Sequence, residues 1–224
     1  MSLLGEKVNF KKAKLPFKKK LLGQYVILEP LSVQKHAKNL FKNFSKDKKN
    51  IIWRYFSYGP FKNFSLFKRW LKIFCMNKDP FFYAIYSKRL KEYCGMASYL
   101  RITPEHGTIE VGHINYALIL QNTREGTEAM FLIIQNAFST LGNRRCEWKC
   151  HNLNNDSKRA ALRLGFKLEG IFRQSNVMKG RNRDTSWFSI IDKEWKSTKI
   201  GFEEYLRKNN FDKNYNQKNK LKLN

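Results

Sequence analysis

The sequence predicts a single α/β (α+β) domain in which helices flank one sheet, and three observations carry this prediction. Apolar runs with strand and helix periodicity follow in the order strand, helices, three strands, helix, strand, helix, two strands. A length of 224 residues suits one domain, or one domain with tails. A composition of 42% hydrophobic and 15% aromatic residues favours a packed core over intrinsic disorder.

The first elements are defined by caps and breakers. Residues 1–20 are basic and unpatterned, which indicates a partly ordered arm. Residues 24–30 alternate as a strand does and stop at a proline. Ser32 has the position of an N-cap for a helix over 33–43. Apolar residues at helical spacing predict a second helix over 64–74.

Strands follow the second helix. The patterns predict strands over 80–86, 93–101 and 108–118, with a hairpin turn between the last two. Gly95 within the second of these strands indicates a bulge or a close approach of another group. The third strand is long enough to require a bulge.

The second half of the chain alternates between helices and strands. An amphipathic run that ends at Gly142 predicts a helix, because glycine is the usual C-cap residue. The remaining elements are predicted as a strand, a short helix and two closing strands. The predicted ranges are 127–141 for the first helix, then 145–151, 157–164, 166–173 and 185–191. The last 25 or so residues are rich in Lys and Asn and are expected to form a frayed tail.

The net charge is +26, from 44 Lys and Arg against 18 Asp and Glu. Such a charge attracts polyanions, including nucleic acid, a ribosome, an anionic membrane or a phosphorylated small molecule. The basic residues are scattered, however, and Lys and Asn crowd the ends, as the codon bias of an AT-rich genome would produce. Both origins of the charge stay open.

The cysteines and the hydropathy of the sequence indicate in which cellular compartment the protein is expected. Cys75, Cys94, Cys146 and Cys150 are too few and too irregularly spaced for a disulfide framework. No companion ligands support a zinc site, so buried free thiols are expected and no metal is predicted. There is no apolar N-terminal run of signal length and no membrane-spanning stretch of 18 apolar residues. These features predict a cytoplasmic protein that does not bind a membrane.

The stretch 121–126 joins a strand to the helix that opens at Thr127. A loop that leads into a helix N-terminus gathers unpaired N–H groups beside the positive end of the helix dipole, which suits a pyrophosphate. Many loops with one glycine precede helices for packing reasons alone. This observation is therefore weak until it is combined with others.

A second unit, Asn154 to Ser157, lies between a strand and a short helix that ends in Leu164-Gly-Phe. Taken alone it is an ordinary cap followed by a glycine stop. The two units occur in order, and Glu110 and His113 lie on the strand before them. This combination is far more specific than either unit.

These residues make the chain similar to the GNAT acetyltransferase superfamily, in its RimJ/RimL-type branch. The resemblance covers about residues 24 to 195. It is carried by GTIEVGHI at 107–114, GTEA at 126–129, NNDS at 154–157, LGFKLEG at 164–170 and GRNRD at 180–184. It implies the GNAT fold, a mixed and mostly antiparallel central sheet flanked by helices and splayed at the acetyl-CoA site. The domain organisation then becomes an arm over 1–20, an N-acetyltransferase domain over 21–195 and a tail over 196–224.

The resemblance also implies where acetyl-CoA binds. The family pattern Q/R-x-x-G-x-G/A falls on 121–126, where Gln121 and Gly126 fit and Arg124 replaces the middle glycine. A positive φ or a close backbone approach is harder for Arg, although its guanidinium could pair with phosphate directly. The implied cofactor-binding residues are Leu118, Leu120, Gln121, Arg124, Gly126, Thr127 and Asn154.

Glu110 is the candidate general base that accepts the proton of an ammonium nucleophile. It is a lone carboxylate among apolar neighbours, where burial would raise its pKa. The alternative is a structural ion pair with a nearby arginine. His113 is the second candidate base, although a histidine with a structural role in the core is the more common case, and it lies on the opposite strand face unless a bulge intervenes.

By resemblance, Asn154 bonds the pantetheine arm and Ser157 lies near the thioester sulfur. The superfamily often places a general-acid tyrosine on the helix before Leu-Gly-Phe, and Ala161 stands at that position here. Ser157 is therefore the candidate to assist the leaving thiolate. The alternative is a serine that only caps the helix.

The aromatic segment 53–61 is expected to help form the acceptor pocket, with Trp53, Tyr55 and Tyr58 as candidate contacts. Ordinary core packing is the alternative for each single ring. His113 and Arg181 complete the candidate acceptor-binding set. Arg181 and Arg183 lie in a turn-like stretch, where they either pin Asp184 or line the acceptor site.

The function that these inferences predict is direct transfer of acetyl from acetyl-CoA, as cosubstrate, to a primary amine in a ternary complex. The acceptor is either a protein N-terminus, such as that of a ribosomal protein with possible ribosome association, or a small amine. The alternative is a non-catalytic module that holds CoA or nucleic acid on a GNAT scaffold. The sequence leaves monomer and homodimer open.

Overall fold

An eight-stranded sheet runs through the computed structural model, which describes residues 4–223. Residues 1–3 of the predicted arm and Asn224 of the predicted tail lie outside the described residues. The strand order is β1-β2-β3-β4-β5-β6-β8-β7. The strands are β1 (Leu21–Leu22), β2 (Val26–Pro30), β3 (Phe81–Ser87), β4 (Glu92–Thr103), β5 (Thr108–Tyr116), β6 (Arg145–His151), β7 (Lys167–Met178) and β8 (Arg181–Ile191).

Helices flank this sheet, as predicted. They are α1 (Val33–Phe44), α2 (Phe64–Phe74), α3 (Arg124–Gln135), α4 (Asn155–Arg163) and α5 (Asp192–Tyr205). The predicted cap of α1 is confirmed, because the Ser32 side chain accepts a hydrogen bond from the backbone N–H of Lys35. The fold class is confirmed as well, since all strand pairs are antiparallel except β5–β6.

Helix α3 begins at Arg124, three residues before the predicted start at Thr127. The reason is the Thr123 side chain, whose Oγ1 accepts from the backbone N–H of Gly126 at 3.0 Å and so caps the helix earlier. The helix then continues as a π-helical turn, Asn136–Thr140. The whole helical run therefore covers nearly the predicted length but is shifted toward the N-terminus.

The parallel pair β5–β6 is short, and this opens the sheet. Backbone pairing joins only residues 108–110 of β5 to residues 145–147 of β6. Beyond Glu110, β5 shifts register against β4, and His113 has a φ of 48°. The bulge that the long predicted strand required is therefore present, and it lies where the two parallel strands separate.

The core confirms two smaller expectations. All four cysteines are buried and free. Gly95 marks a close approach, because a Cβ at this position would lie 2.7 Å from Cδ2 of Leu120.

No helix within residues 4–223 combines the length and apolarity needed to cross a membrane.

The frayed conformation expected for the last 25 or so residues is wrong for the described part of the chain. Helix α5 extends to Tyr205, and Phe211 beyond it is buried against the rings of Tyr205 and Tyr25. The polar composition hid this packing, because a few aromatic rings suffice to anchor a segment. At the other end, Ala13 is buried and its N–H bonds to the Pro104 carbonyl. The predicted domain boundaries themselves stay predictions.

Candidate active site

The connection from β5 to α3 is a tightly bonded loop. Strand β5 ends at Tyr116, two residues before the predicted end at 118, because Leu118–Leu120 form a 3-10 helix. Leu118 is exposed, whereas Leu120 is fully buried and its carbonyl accepts from Oγ1 of Thr123 at 2.7 Å. Gln121 donates from Nε2 to the carbonyl of Tyr116 at 3.1 Å. We call residues 121–126 the α3 loop.

Gly126 is required by close packing. A Cβ at this position would lie 2.8 Å from the Leu120 carbonyl oxygen and 3.0 Å from Cε2 of Tyr116. The Tyr116 hydroxyl in turn donates to the Gly126 carbonyl at 2.9 Å. Gly126 therefore lets the helix start close to the end of β5, and the amides of Arg124 and Glu125 occupy its first two positions, which have no partner within a helix.

The backbone conformation and the side-chain position of Arg124 both differ from what was expected. The left-handed backbone conformation falls on Asn122, with a φ of 57°, and Arg124 is helical. Its guanidinium lies 4.2 Å from the ring centroid of Tyr25, 4.6 Å from that of Tyr215 and 5.2 Å from that of Phe211. This aromatic cage encloses the guanidinium, so the expected pairing of the side chain with phosphate is wrong for this conformation. The backbone amide of Arg124 remains a candidate donor.

Thr127 links α3 to α4. Its Oγ1 accepts from Nη2 of Arg163 at 2.6 Å and donates to the Thr123 carbonyl at 3.1 Å. No sequence pattern singled out Arg163, because its proximity to α3 depends on how α4 packs. The two helices are thereby fixed to each other beside the α3 loop.

Two buried glutamates on α3 were also missed. Glu125 pairs with Nε of Arg89 at 2.6 Å. The Glu128 carboxylate accepts from the backbone N–H groups of Gln24, Tyr25 and Val26, at 2.7, 2.6 and 2.8 Å. Burial raises the pKa of Glu128, and these three N–H groups oppose the rise. The carboxylate thus ties the start of β2 to α3.

The unit Asn154 to Ser157 lies between a strand and a short helix, as the sequence indicated, and Asn154 rather than Ser157 caps that helix. Asn154 is the N-cap of α4, and its Oδ1 accepts from the backbone N–H of Ser157 at 3.1 Å. Ser157 therefore does not cap the helix. Its Oγ accepts from Nε1 of Trp148 at 3.0 Å, and its hydroxyl is also in hydrogen-bond contact with the thiol of Cys150. Ala161 is fully buried.

Glu110 is not a lone carboxylate. It is 3% exposed, and its Oε2 lies 2.6 Å from Nε of Arg101 and 3.0 Å from Nζ of Lys149. Lys149 in turn lies 2.7 Å from Oε2 of Glu147, which pairs with Arg145. The expectation of apolar neighbours was wrong, because Lys149 comes from β6 and Arg101 from a bulged part of β4, and neither contact follows from sequence spacing.

The bulge places His113 among aromatic rings. Its Nδ1 lies 2.8 Å from the Tyr58 hydroxyl, and the rings of Phe74 and Phe82 lie 5.2 and 5.3 Å from its own ring. Burial, assisted by the charges of Arg101 and Arg183, lowers the pKa of His113 to about 4. The imidazole is therefore neutral near pH 7.

The rings of the aromatic segment 53–61 take two kinds of position. Some pack in the hydrophobic core, and others lie beside the opening in the sheet. Trp53 is 4% exposed and packs against Phe44, Phe61 and Trp70, so its ring belongs to the core. The Tyr55 hydroxyl donates to the Leu153 carbonyl at 3.0 Å. Together with the contact between Tyr58 and His113, this places the segment across the ends of β5 and β6, beside the opening in the sheet.

The stretch around Arg181 is a strand rather than a turn. Arg181 begins β8 and is exposed. Asp184 accepts from the backbone N–H of Gln174 and from Nδ2 of Asn182, at 2.8 and 3.0 Å. Within residues 4–223 no arginine forms an ion pair with Asp184, so the suggestion that Arg181 or Arg183 pins it is wrong. Arg183 is half-buried instead.

The fold and the opening between β5 and β6 define an acetyltransferase-type domain, and comparison with known proteins identifies the family. The profile described as "Acetyltransferase (GNAT) domain" matches residues 26–167. The chain belongs to the GNAT acetyltransferase family. This confirms the superfamily resemblance, whereas the RimJ/RimL-type branch stays a prediction.

Solved structures agree over nearly the whole chain. A GCN5-related N-acetyltransferase from Brucella melitensis is 40% identical with a TM-score of 0.93, and the match covers 95% of this chain and 96% of that one. A GNAT-family protein from Chromobacterium violaceum is 37% identical with a TM-score of 0.81, over 88% and 98%.

A curated relative, the uncharacterized N-acetyltransferase YoaA of Bacillus subtilis, is 30% identical over 103 residues. This match covers 45% of the present chain and 56% of YoaA. The chain thus spans little more than half the length of that relative.

Proposed function

We propose that the protein is an acetyl-CoA-dependent N-acetyltransferase that acts on a primary amine by direct transfer. The observation that carries the proposal is the opening between β5 and β6 beside the first turn of α3. An extended pantetheine arm can lie in such an opening and bond to the unpaired edge of β5 beyond Glu110. The pyrophosphate would lie at the amides that start α3.

Each predicted cofactor residue has a defined part in this proposal. The amides of Arg124 and Glu125 would bind pyrophosphate, and Gly126 would keep the backbone close enough for this. Gln121, Thr127 and the buried Leu120 would support the loop, while the exposed Leu118 would contact the cofactor directly. Asn154 would use Nδ2 toward the arm, since Oδ1 caps α4.

The reaction forms a C–N bond between the amine and the thioester carbonyl carbon and breaks the C–S bond. The amine proton must leave, and the CoA thiolate takes up a proton. We assign the first transfer to Glu110, directly or through water, and His113 is the other candidate. Ser157 is the candidate donor to the sulfur.

Release of free thiol tests the proposed activity. Protein, acetyl-CoA and a panel of small amines and peptides should yield thiol and N-acetylated product, and the mass of the product identifies the acceptor. The panel should include N-terminal peptides of ribosomal proteins, because the charge of +26 favours an acceptor in a polyanionic setting. CoA binding without release for any amine would favour a non-catalytic binding module.

Replacing Glu110 tests its role. Glu110→Gln should lower kcat by about 100-fold, because the amide cannot accept the amine proton. Glu105→Gln is the matched control, since Glu105 is exposed and pairs only with Lys12. Equal rates and equal pH profiles for wild type and Glu110→Gln would remove the assignment.

A further inference from the structure

Strand β8 presents polar atoms that have no partner. Arg183, Thr185 and Trp187 alternate along the strand, so their side chains share one face. Nε of Arg183, Oγ1 of Thr185 and Nε1 of Trp187 are all shielded from solvent, and within residues 4–223 none has a hydrogen-bond partner. We call these three side chains the β8 face. Most buried polar groups in native proteins are bonded, so three neighbours without partners need an explanation.

The charge of Arg183 is also unbalanced. Among the residues that the structure describes, no carboxylate oxygen lies within 4.0 Å of its guanidinium nitrogens; its one close polar contact is Sδ of Met178, 3.9 Å from Nη1. The nearby Lys149 provides a contrast, because it has two carboxylate partners. A half-buried cation without an anion beside it has a desolvation cost that no ion pair offsets. Among the described residues, the Arg183 guanidinium is therefore left without an anionic partner.

The β8 face lies on the side of the sheet where the candidate base is found. Nζ of Lys149, which pairs with Glu110, lies 3.5 Å from the ring centroid of Trp187. The charge of Arg183 acts on both Glu110 and His113. At the tip of the same hairpin, Lys179 donates to the Trp53 carbonyl at 3.0 Å. These contacts link the β8 face to the candidate bases Glu110 and His113, and its hairpin to the aromatic segment that is expected to help form the acceptor pocket.

We propose that the amine acceptor carries an anionic group, a carboxylate or a phosphate, and that Arg183 binds this group with Thr185 as a second donor. This inference rests on the proposed acetyltransferase function and names its substrate class. A guanidinium suits such oxygens, because its N–H groups form charge-assisted bonds with them. The indole N–H of Trp187 offers one further donor. A neutral amine would leave all three groups unpaired.

Matched acceptor pairs test the proposal. Each pair has the same amine with and without the anion: β-alanine against β-alaninamide, phosphoethanolamine against ethanolamine, and peptides with Glu or Gln as second residue. In thiol-release assays, wild type should favour the anionic member of at least one pair by 10-fold or more in kcat/KM. The first and third pairs report a carboxylate site, and the second reports a phosphate site.

Arg183→Met removes the charge while keeping a long side chain. It should lower kcat/KM for the preferred anionic acceptor by about 10- to 100-fold, as loss of a charge-assisted bond does. The loss for the anionic member should exceed the loss for the neutral member by 10-fold or more, because only the anionic member binds the guanidinium, and the KM of acetyl-CoA should change little. Arg69→Met is the control, because Arg69 is an exposed arginine on α2. The melting temperature of Arg183→Met should not fall, since no ion pair is lost.

The outcomes separate this inference from the proposed function. Equal losses for both members of a pair, a raised KM for acetyl-CoA alone, or no preference for an anion in wild type would each overturn the inference and leave the acetyltransferase standing. If no amine releases thiol, the proposed function fails, and calorimetric binding of β-alanine and phosphoethanolamine still tests the β8 face. Tighter binding of either one to wild type than to Arg183→Met supports an anion site, and equal or absent binding overturns it.

Discussion

The α3 loop and the β8 face differ in how their polar groups are satisfied. Around the α3 loop, Thr123 and Gly126 are bonded within the protein, and the Glu128 carboxylate accepts three backbone N–H groups. The exception there is Nε of Arg124, which lacks a hydrogen bond but lies 4.0 Å from Oε1 of Glu125. On the β8 face, three polar atoms are buried without a hydrogen-bond partner among residues 4–223. A polar group that is hydrogen-bonded within the protein stabilises the fold whether or not a ligand is present. Groups without partners lower stability unless a ligand provides the missing half of each bond.

This comparison predicts different responses to substitution. Changes around the α3 loop should lower stability in the absence of any ligand. Changes on the β8 face should affect ligand binding while stability stays the same or rises. Three measurements of unfolding test this distinction, and they follow in decreasing order of expected effect.

The largest loss of stability is expected for Glu128→Ala. The substitution leaves the backbone N–H groups of Tyr25 and Val26 buried, and that of Gln24 partly buried, without their acceptor, so the free energy of unfolding should fall by about 3 kcal/mol. Urea denaturation monitored by fluorescence measures it. Glu203→Ala is the control, because Glu203 is an exposed residue of α5, and the expected change is below about 0.5 kcal/mol. Similar losses for the two variants would mean that the carboxylate is not a structural link.

His113 should make stability depend on pH. Its pKa is about 4 when folded and 6.5 in its reference state, so the unfolded chain binds the proton first as pH falls. Stability from the neutral imidazole is therefore present above pH 6.5 and lost between pH 6.5 and 4, by about 3 kcal/mol at most.

The variant that tests this is His113→Asn, because Asn tolerates the positive φ at this position. The measurement is the difference between wild type and variant in unfolding free energy at pH 7 and at pH 4. His36 and His151 also have lowered pKa values, and their contributions cancel in that difference. An identical pH dependence in both proteins would contradict the assignment.

The smallest effect, and the most direct contrast, comes from two neighbours on β8. Thr185→Val replaces a buried hydroxyl without a partner by a methyl group, so the unliganded protein should be unchanged or more stable by up to about 1 kcal/mol. Ser186→Ala removes the bond from Oγ to Oδ1 of Asn152, so stability should fall by about 1 kcal/mol. Thermal unfolding of the pair decides the sign. A loss for Thr185→Val would show that its hydroxyl is satisfied after all.

Much of the fold could be predicted because its determinants are local. Ser32 and the apolar spacing of residues 64–74 defined α1 and α2 almost to the residue. The start of α3 was misplaced because both Thr123 and Thr127 could stand near a helix N-terminus. Only the hydrogen bond from Gly126 to Thr123 decides between them.

The electrostatics of the candidate site could not be predicted, because they depend on contacts between distant residues. Glu110 meets Lys149 only because β5 and β6 pair in parallel with one particular register. The same holds for Glu128, whose partners lie more than 100 positions earlier in the chain. The sequence suggested Arg183 as a group that could line the acceptor site, but not that its charge would be left unbalanced.

The aromatic cage of Arg124 has a consequence for the order of events during synthesis. The chain is made from its N-terminus, so the contacts of Glu128 with residues 24–26 can form as soon as α3 has emerged. Phe211 and Tyr215 are added long after Arg124, and until then its guanidinium can be enclosed only by Tyr25. A nascent chain would therefore have α3 anchored while this arginine is still mobile, and the residues that close the cage lie outside the stretch shared with the family profile.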